Sequence, residues 1–286
     1  MSDTLRTILK IILVLDLIAL VLAGLYMLSM FAKRCPKGGF YAKLGDCRYA
    51  HRGLHAIHAG IPENSLRAFR LAANNGYGAE LDVRMSRDGR LVIMHDESLK
   101  RTTGANANVG GVTEQVLSQL TLEGTREKVP YLEDVLPLFD GKTPLLIEIK
   151  TENNNYAELT RMVTDLLKQY PGLDYMIESF DPRVLMWLRK HRPDIIRGQL
   201  CENLFKDETC KENFLIRFLL SNLMGNFLAR PDFIAYKYED RNDLAAGLCR
   251  KLWGPQFFWW VVGSQEAANE LVDRGDKIIF EGFAAK

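Results

Sequence analysis

The chain has 286 residues, of which 47% are hydrophobic and 26% are charged, so it holds enough apolar material for one large folded domain. Its formal net charge of +1 provides no overall basic field, and the composition therefore gives no reason to expect nucleic acid as a partner. Five cysteines are scattered without a C-x-x-C pair, which indicates neither a zinc ribbon nor a disulfide framework.

The first element in chain order is an apolar run at 11–31, IILVLDLIALVLAGLYMLSMF, in which Asp16 is the only charged residue. As a helix, a run of this length spans roughly 30 Å, the thickness of the hydrocarbon core of a bilayer. The residues at its end form a poor cleavage site for a signal peptidase. We therefore predict a transmembrane helix at 11–31 that stays attached to the chain, with a flank at 1–10 and a linker at 32–45.

Basic residues flank this run on both sides, and more of them follow it than precede it. They are Arg6 and Lys10 before the run, and Lys33, Arg34, Lys37 and Lys43 after it. By the positive-inside rule, this asymmetry favours the cytoplasmic side for the domain that follows. We predict a single-pass protein of the cell membrane.

From residue 46 onward, short apolar runs alternate with amphipathic helical patterns. The predicted strands are at 48–50, 79–83, 91–94, 145–149, 175–177, 195–199, 233–236, 257–262 and 277–280. The predicted helices are at 64–74, 131–139, 156–169, 182–190, 211–229, 240–252 and 264–274. Repeated strand–helix units predict an α/β fold with a parallel sheet, and eight of them predict a closed TIM (β/α)8 barrel over 46–286. A hairpin turn at Asp88-Gly89 adds an antiparallel strand, and 97–130 is predicted to be a small insertion after the second strand.

Carboxylates cluster at the ends of two predicted strands. Glu80 and Asp82 are two residues apart, so their side chains leave the same face of the strand, and Glu148 and Lys150 repeat this spacing. Neighbouring carboxylates that point into a barrel repel each other unless a cation lies between them. Oxygen ligands of this kind favour one hard divalent cation, Mg²⁺ or Ca²⁺. Taken alone, a Glu-x-Asp pair is more often a surface feature that is neutralised by Arg or Lys.

Two histidines follow apolar runs at the same end of the predicted barrel. Imidazole titrates near neutral pH, so His51 and His95 are suited to remove one proton and to supply another during catalysis. Arg52 can donate two parallel hydrogen bonds to a phosphate, and Lys150 adds a positive charge. The set predicts metal-assisted phosphodiester hydrolysis at the strand ends, where a TIM barrel places its active site.

Six stretches of the chain together resemble the glycerophosphodiester phosphodiesterase family. They are H-R-G at 51–53, P-E-N-S at 62–65, G-Y-G-A-E-L-D-V at 76–83, M-S-R-D-G-R-L-V-I-M-H-D at 85–96, R-T-T-G at 101–104 and E-I-K at 148–150. The resemblance implies a TIM barrel and a reaction in which a neighbouring glycerol hydroxyl attacks phosphorus, giving a cyclic phosphate that water opens. The resemblance implies that His51 and His95 act as acid and base and that Arg52 and Lys150 contact the phosphate. It also implies that a divalent metal is bound by Glu80, Asp82 and Glu148, with Glu63 in the loop beside the metal.

The strands that close the barrel depart from the family pattern. W-V-V-G at 260–263 stands where the family tends to have W-T-V-N, and F-E-G-F at 280–283 stands where T-D-x-P is common. Because this side usually shapes the substrate pocket in the family, Trp260 is predicted to contact the substrate. The sequence does not predict which headgroup the pocket prefers. Glu178 resembles a family position that lines the site, and is alternatively part of a segment that caps the helix after Asp181-Pro182.

The predicted helix at 211–229 is apolar on most of its circumference between 214 and 228. This segment is either a helix that covers the barrel or a surface that lies on the bilayer beside the anchor.

The leading functional hypothesis is a membrane-anchored hydrolase that converts glycerophosphodiesters to sn-glycerol 3-phosphate and an alcohol. A lysophospholipase D that acts on a lysophospholipid at the membrane would use the same residues. A catalytically silent barrel that binds phosphodiesters is the alternative outside catalysis, and the retained histidines and carboxylates argue against it.

Overall fold

The computed structural model describes residues 3–33, 47–208 and 210–286. The strands, numbered in chain order, are β1 Tyr49–Ala50, β2 Gly78–Met85, β3 Leu91–Ile93, β4 Leu145–Ile149, β5 Tyr175–Ser179, β6 Arg197–Cys201, β7 Phe233–Lys237, β8 Gln256–Val262 and β9 Lys277–Phe280. All except β3 pair in parallel, and β1 pairs with both β2 and β9, so the sheet closes on itself. The predicted TIM barrel is confirmed.

Helices precede and surround this barrel in the described part of the chain. They are α1 Asp3–Ser29, α2 Leu66–Asn74, α3 Lys100–Thr103, α4 Glu114–Leu117, α5 Leu132–Phe139, α6 Tyr156–Leu167, α7 Pro182–His191, α8 Phe214–Ser221, α9 Asn226–Ala229, α10 Leu244–Trp253 and α11 Gln265–Asp273. Two starts follow local sequence signals. The Ser65 hydroxyl accepts the Ala68 N–H before α2 at 3.1 Å, and Asp181 accepts the Arg183 N–H at 2.9 Å where Pro182 opens α7.

The barrel interior is filled by side chains at alternate strand positions. The buried side chains of this inner core are Tyr49, Leu146, Met176, Leu200, Phe233, Ala235, Phe258 and Ile279. Five of these core residues are each followed, two positions later, by a residue with a polar group. These five later residues are His51, Glu148, Glu178, Trp260 and Glu281. The strand period of two therefore carries the chain from an apolar barrel core to a polar rim at the carboxyl ends of the strands.

The hairpin between β2 and β3 forms as predicted, with Gly89 in the left-handed region at φ 80°. Beyond β3, the segment up to α5 contains α3, α4 and a 3-10 turn at Val109–Gly111. A separate apolar cluster holds this segment together; it includes Val92, Met94, Leu99, Val109, Leu117, Leu122 and Val129. The domain limits, including 97–130 for the insertion, stay predictions.

Helix α1 is long and apolar enough to cross a membrane, with a mean hydropathy of 2.7 over its most apolar window. None of its residues is buried against the rest of the chain. It begins before the predicted span 11–31 and ends at Ser29. The predicted linker at 32–45 lies almost wholly outside the described residues.

The end of α1 is attached to the outer helices of the barrel. Met30, directly after the helix, is fully buried in the main hydrophobic core. The indole N–H of Trp253 in α10 donates to the Met27 carbonyl at 3.1 Å, and the Tyr26 hydroxyl donates to Asn222 Oδ1, after α8, at 2.7 Å. The residues around Met30 are therefore part of the folded domain.

The single helix predicted at 211–229 is wrong, because the structure divides it into α8 and α9. Leu223 between them has a φ of 56°, in the left-handed region, and its side chain is 2% exposed. Burial of that leucine stabilises a backbone conformation that a leucine rarely adopts. Helical periodicity in the sequence does not reveal this break, because the packing partners of Leu223 lie elsewhere in the chain.

Candidate active site

Three carboxylates converge at the carboxyl ends of β2 and β4. Strand register pairs Asp82 with Glu148 and Glu148 with Glu178 of β5, and Glu80 lies two residues before Asp82 on the same face. One oxygen atom from each of Glu80, Asp82 and Glu148 lies within 4.8 Å of the other two. All three side chains are buried. The structure therefore brings together the residues that the sequence predicts as metal ligands.

Burial and mutual repulsion determine the charge of this triad. Burial, followed by the charges of Asp82 and Glu148, raises the pKa of Glu80 well above its ordinary value. Burial also raises the pKa of Glu148, to about 7. Asp82 differs from the other two carboxylates. Its burial is outweighed by its basic neighbours Lys150, His95 and Arg52, which lower its pKa. A buried set of oxygen donors that repel one another fits a hard divalent cation.

Lys150 and Arg52 both contact the triad. Lys150 Nζ lies 2.9 Å from Glu148 Oε1 and 3.3 Å from Asp82 Oδ1. The backbone N–H of Arg52 donates to Glu80 Oε2 at 3.0 Å, and its Nε lies 3.5 Å from Asp82 Oδ2. The two cations predicted to contact phosphate are therefore held at the edge of the acidic cluster.

A tight turn after β1 places Arg52 there. Arg52 has a φ of 53° and Gly53 a φ of 81°. A Cβ atom on residue 53 would also lie 2.9 Å from the backbone carbon of Ala68 in α2. Both the left-handed backbone conformation and this close approach therefore require glycine at position 53.

Glu63 bridges two arginines beside the triad. Arg52 donates to Glu63 Oε1 at 3.0 Å, while Arg101 donates to both Glu63 oxygens at 2.7 and 2.9 Å. These contacts outweigh burial and lower the pKa of Glu63. The next residue, Asn64, donates from Nδ2 to Asp82 Oδ2 at 2.8 Å and is 2% exposed. The P-E-N loop therefore contacts both the acidic triad, at Asp82, and Arg52.

His51 lies between the triad and the last strand of the barrel. Its Nδ1 is hydrogen-bonded to a carboxylate oxygen of Glu281, just after β9, and its Nε2 lies 3.9 Å from Glu80 Oε2. Burial lowers the pKa of His51, and the contact with Glu281 opposes this shift. His55 Nε2 lies 3.7 Å from the other oxygen of Glu281.

His95 is held in a similar way by a different carboxylate. Its Nδ1 lies 2.7 Å from Asp96 Oδ1, and Arg101 Nε donates to the second oxygen of Asp96 at 2.6 Å. Burial lowers the pKa of His95 to about 4, so the imidazole is neutral at neutral pH. Both histidines therefore have a carboxylate at Nδ1, which leaves Nε2 for proton transfer.

A cavity of about 440 Å³ opens over these groups. Its lining includes His51, Arg52, Glu80, His95, Glu148, Glu178 and Trp260. Glu178 Oε2 and Trp260 Nε1 are buried without a hydrogen-bond partner among the described residues. Burial, followed by the charge of Glu80, raises the pKa of Glu178 well above its ordinary value. Two of the predicted substrate-binding residues thus line the cavity, and each holds one buried polar atom without a partner among the described residues.

A second cavity of about 620 Å³ adjoins the first and shares Glu148 and Phe180 with it. Its lining includes Lys150 and the apolar side chains of Leu204, Ile216 and Leu220. The site thus combines charged groups with apolar side chains.

The sequence profile of the Glycerophosphoryl diester phosphodiesterase family matches residues 51–228, which is more than half of the chain. The chain belongs to this family. The resemblance stated from the sequence motifs is confirmed, and the protein is an enzyme, a phosphoric diester hydrolase.

Individual proteins and solved structures resemble this chain in sequence or in fold. YhdW of Bacillus subtilis, whose name assigns it provisionally as a glycerophosphodiester phosphodiesterase, is 29% identical over 236 residues, covering 79% of this chain and 90% of its own. A phosphodiesterase of Oleispira antarctica, solved with its product sn-glycerol-3-phosphate, superposes with a TM-score of 0.67 at 23% identity over 84% of this chain and 94% of its own. The glycerophosphodiester phosphodiesterase of Thermotoga maritima superposes with a TM-score of 0.60 at 27% identity over 82% and 94%.

Sequence reasoning missed three residues of this phosphodiesterase site. Asn64 and Arg101 stand inside the P-E-N-S and R-T-T-G motifs, so their motifs offered a signal for a role beside the metal triad. Glu281 stands at a position where the family commonly has aspartate, and that carboxylate was the only available signal for its contact with His51.

Proposed function

We propose that this phosphodiesterase hydrolyses glycerophosphodiesters to sn-glycerol 3-phosphate and an alcohol, with one divalent cation, Mg²⁺ or Ca²⁺. The observation that carries the proposal is the buried triad of Glu80, Asp82 and Glu148 within 4.8 Å, flanked by two histidines in one cavity. In this proposal the triad binds the cation. When bound, the cation would neutralise phosphate charge and polarise the phosphorus–oxygen bonds.

Protein side chains supply the remaining chemistry in this proposal. Arg52 and Lys150 orient the phosphate by charge-assisted hydrogen bonds. One histidine of the pair His51 and His95 takes the proton of the attacking glycerol hydroxyl, while the other gives a proton to the oxygen of the departing alcohol. Water then opens the cyclic phosphate with the proton transfers reversed.

The remaining predicted residues are proposed to orient Arg52 or to contact the substrate. Glu63 holds Arg52. Glu178 and Trp260 are assigned to the substrate because both line the cavity and each has a buried polar atom without a partner among the described residues. An unpaired buried acceptor or donor is unfavourable, so a polar substrate group that binds it gains free energy.

A product assay tests the reaction. The purified full-length protein in detergent is incubated with glycerophosphocholine or glycerophosphoglycerol in the presence of Mg²⁺ or Ca²⁺. We expect sn-glycerol 3-phosphate from both substrates. Release of glycerol and phosphocholine from glycerophosphocholine, or absence of turnover of both substrates with both cations, would contradict the proposal.

A lysophospholipase D activity is the second candidate, and the apolar lining of the larger cavity favours it. Leu204, Ile216 and Leu220 line the same cavity as Lys150, so a single acyl chain could lie against the three apolar side chains while the phosphate binds Lys150. Lysophospholipase D GDPD1 of Rattus norvegicus is 36% identical over 121 residues, covering 38% of this chain and 37% of its own. Lysophosphatidic acid released from lysophosphatidylcholine would identify this activity.

We also propose that α1 anchors the enzyme as a single-pass membrane protein with its barrel on the cytoplasmic side. Support comes from the burial of Met30 directly after the helix, because cleavage near the end of α1 would remove part of the folded core. Resistance to alkaline extraction and digestion of the barrel by protease only from the cytoplasmic side would support this topology. Digestion of the barrel by protease added outside intact cells would reverse it.

A further inference from the structure

Exposed apolar side chains are concentrated on one side of the barrel. Outside α1, twelve large hydrophobic side chains among the described residues are exposed, and nine of them lie between positions 205 and 252. These nine are Phe205, Phe214, Leu215, Ile216, Phe218, Phe227, Leu228, Leu244 and Leu252. They belong to α8, α9, α10 and the loop before α8, which we call the α8–α10 sector. Clustering of this kind marks an interaction surface.

Helix α8 is apolar on two sides. Ile216 and Leu220, four residues apart, line the larger cavity of the active site. Phe214 and Leu215 are turned to the exterior, with exposed fractions of 72% and 62%. A helix that only covered a barrel would carry charge on its outer side.

The single charged residue of α8 does not interrupt this apolar surface. Arg217 donates through Nη2 to the carbonyls of Asp207 at 2.9 Å and Cys210 at 3.1 Å. Its guanidinium also lies 5.9 Å from the ring centroid of Phe205. The charge is therefore directed into the preceding loop, against Phe205 and the carbonyls of Asp207 and Cys210.

The position of α1 indicates what covers the sector. Its last turn is bound to the same elements, by the hydrogen bonds of Tyr26 to Asn222 and of Trp253 to Met27. Phe227, Leu228 and Leu252 are exposed on α9 and α10, the two helices that the end of α1 contacts. A membrane around α1 would thus begin at the edge of this sector.

Basic side chains stand beside the same apolar residues. Arg189 of α7 donates to the Leu228 carbonyl at 2.7 Å, and the Arg230 guanidinium lies 5.6 Å from the Phe31 ring centroid. Lys251, next to Leu252 in α10, is exposed. Apolar side chains bordered by Arg and Lys are typical of surfaces that rest at the headgroup level of a bilayer.

We propose that the α8–α10 sector is a membrane-contact surface, which lies on the lipid bilayer that holds α1. This inference rests on the proposed membrane anchoring by α1 and goes beyond it, because a simple tether would leave the barrel free in water. With the sector on the bilayer, α8 stands between the acyl chains and the larger cavity, so a lipid substrate can pass along α8 to Lys150.

Photolabelling of the full-length protein in nanodiscs tests this surface without any substitution. The nanodiscs contain phosphatidylcholine, phosphatidylglycerol and a phosphatidylcholine with a diazirine in its acyl chain, and labelled peptides are identified by mass spectrometry. We expect labels in α1 and in peptides that cover 205–228 and 244–252. The exposed Val116 in α4 provides a control peptide, which we expect to stay unlabelled.

The outcomes separate this inference from the anchoring it rests on. Labels confined to α1 would leave the anchor intact and overturn the membrane-contact surface. Absence of labels from α1 would overturn both. Cross-links between 205–228 of two copies, with no lipid label there, would assign the sector to a dimer and would equally overturn the proposal.

A paired substitution provides an independent measurement. Phe214→Ser combined with Phe218→Ser should lower lipid labelling of 205–228 about tenfold, because side chains that no longer enter the acyl region have little contact with the diazirine. Val116→Ser is the matched control. Labelling of 205–228 that is unchanged in the double variant would contradict the assignment of the outer side of α8 to the bilayer.

Discussion

The Nδ1 atom of His51 is hydrogen-bonded to a carboxylate oxygen of Glu281, which lies 230 residues later in the chain. The hydrogen bond from His51, together with the nearby His55, lowers the pKa of Glu281 well below its ordinary value, so this carboxylate is ionised at neutral pH. A carboxylate on Nδ1 selects the tautomer of the ring and holds Nε2 toward the cavity. Glu281 is therefore a positioning residue for one of the two proposed proton-transfer groups.

Replacement of Glu281 by glutamine should lower kcat by about 10- to 100-fold, because the amide keeps the shape but loses the charge that orients His51. KM for glycerophosphocholine should change little, since Glu281 is not assigned to the substrate. Steady-state kinetics measure kcat and KM separately. Glu281→Asp should recover part of kcat, and Glu266→Gln, an exposed glutamate in α11, is the matched control. An unchanged kcat in Glu281→Gln would remove this residue from the mechanism.

Loss of either imidazole should lower turnover by on the order of 10²–10⁴-fold, since each is assigned a proton transfer. The variants are His51→Ala and His95→Ala, and the rate of release of sn-glycerol 3-phosphate is the measurement. His58→Ala serves as the control because His58 is exposed in the turn Ile57–Ala59. Near-normal turnover in His51→Ala or His95→Ala would exclude that histidine from acid–base catalysis.

Chelation with EDTA should abolish turnover, and added Mg²⁺ or Ca²⁺ should restore it. A second readout does not depend on activity. Binding of the cation to the folded protein alone should raise Tm, and Glu148→Gln should remove this rise by taking one ligand from the triad. Thermal unfolding with and without the cation measures the effect, with Glu158→Gln of α6 as the control. Turnover that resists EDTA would contradict the metal site.

Deletion of N-terminal residues should leave the barrel folded only if the last turn of α1 and Met30 are kept. A deletion of residues 1–34 would be expected from the sequence alone to release a soluble, active barrel, but the structure changes that expectation because Met30 belongs to the core. Met30→Ala should cost about 2–5 kcal/mol of unfolding free energy. Leu22→Ala in the exposed part of α1 should change it by less than about 0.5 kcal/mol in detergent. Urea unfolding measures both, and equal values would show that Met30 contributes no packing.

Much of the barrel could be predicted because strand periodicity is a local property. Leu146 and Glu148 stand two residues apart, as do Met176 and Glu178, so one residue of each pair fills the core while the next inward position reaches the rim. The same local rule placed Glu80 beside Asp82, and the closed sheet then brought Glu148 against them.

The sequence by itself therefore determined the fold, the family and the three carboxylates that converge at the strand ends, because each depends on short spacings and motifs. Only the tertiary structure decided three further features: the break at Leu223, the attachment of Met30 to the outer helices, and the contact of Glu281 with His51. Each of these joins residues that are distant in the chain, and the free energy that stabilises it comes from burial or charge pairing that exists only after the barrel has closed. Periodicity and motif spacing hold no information about such contacts.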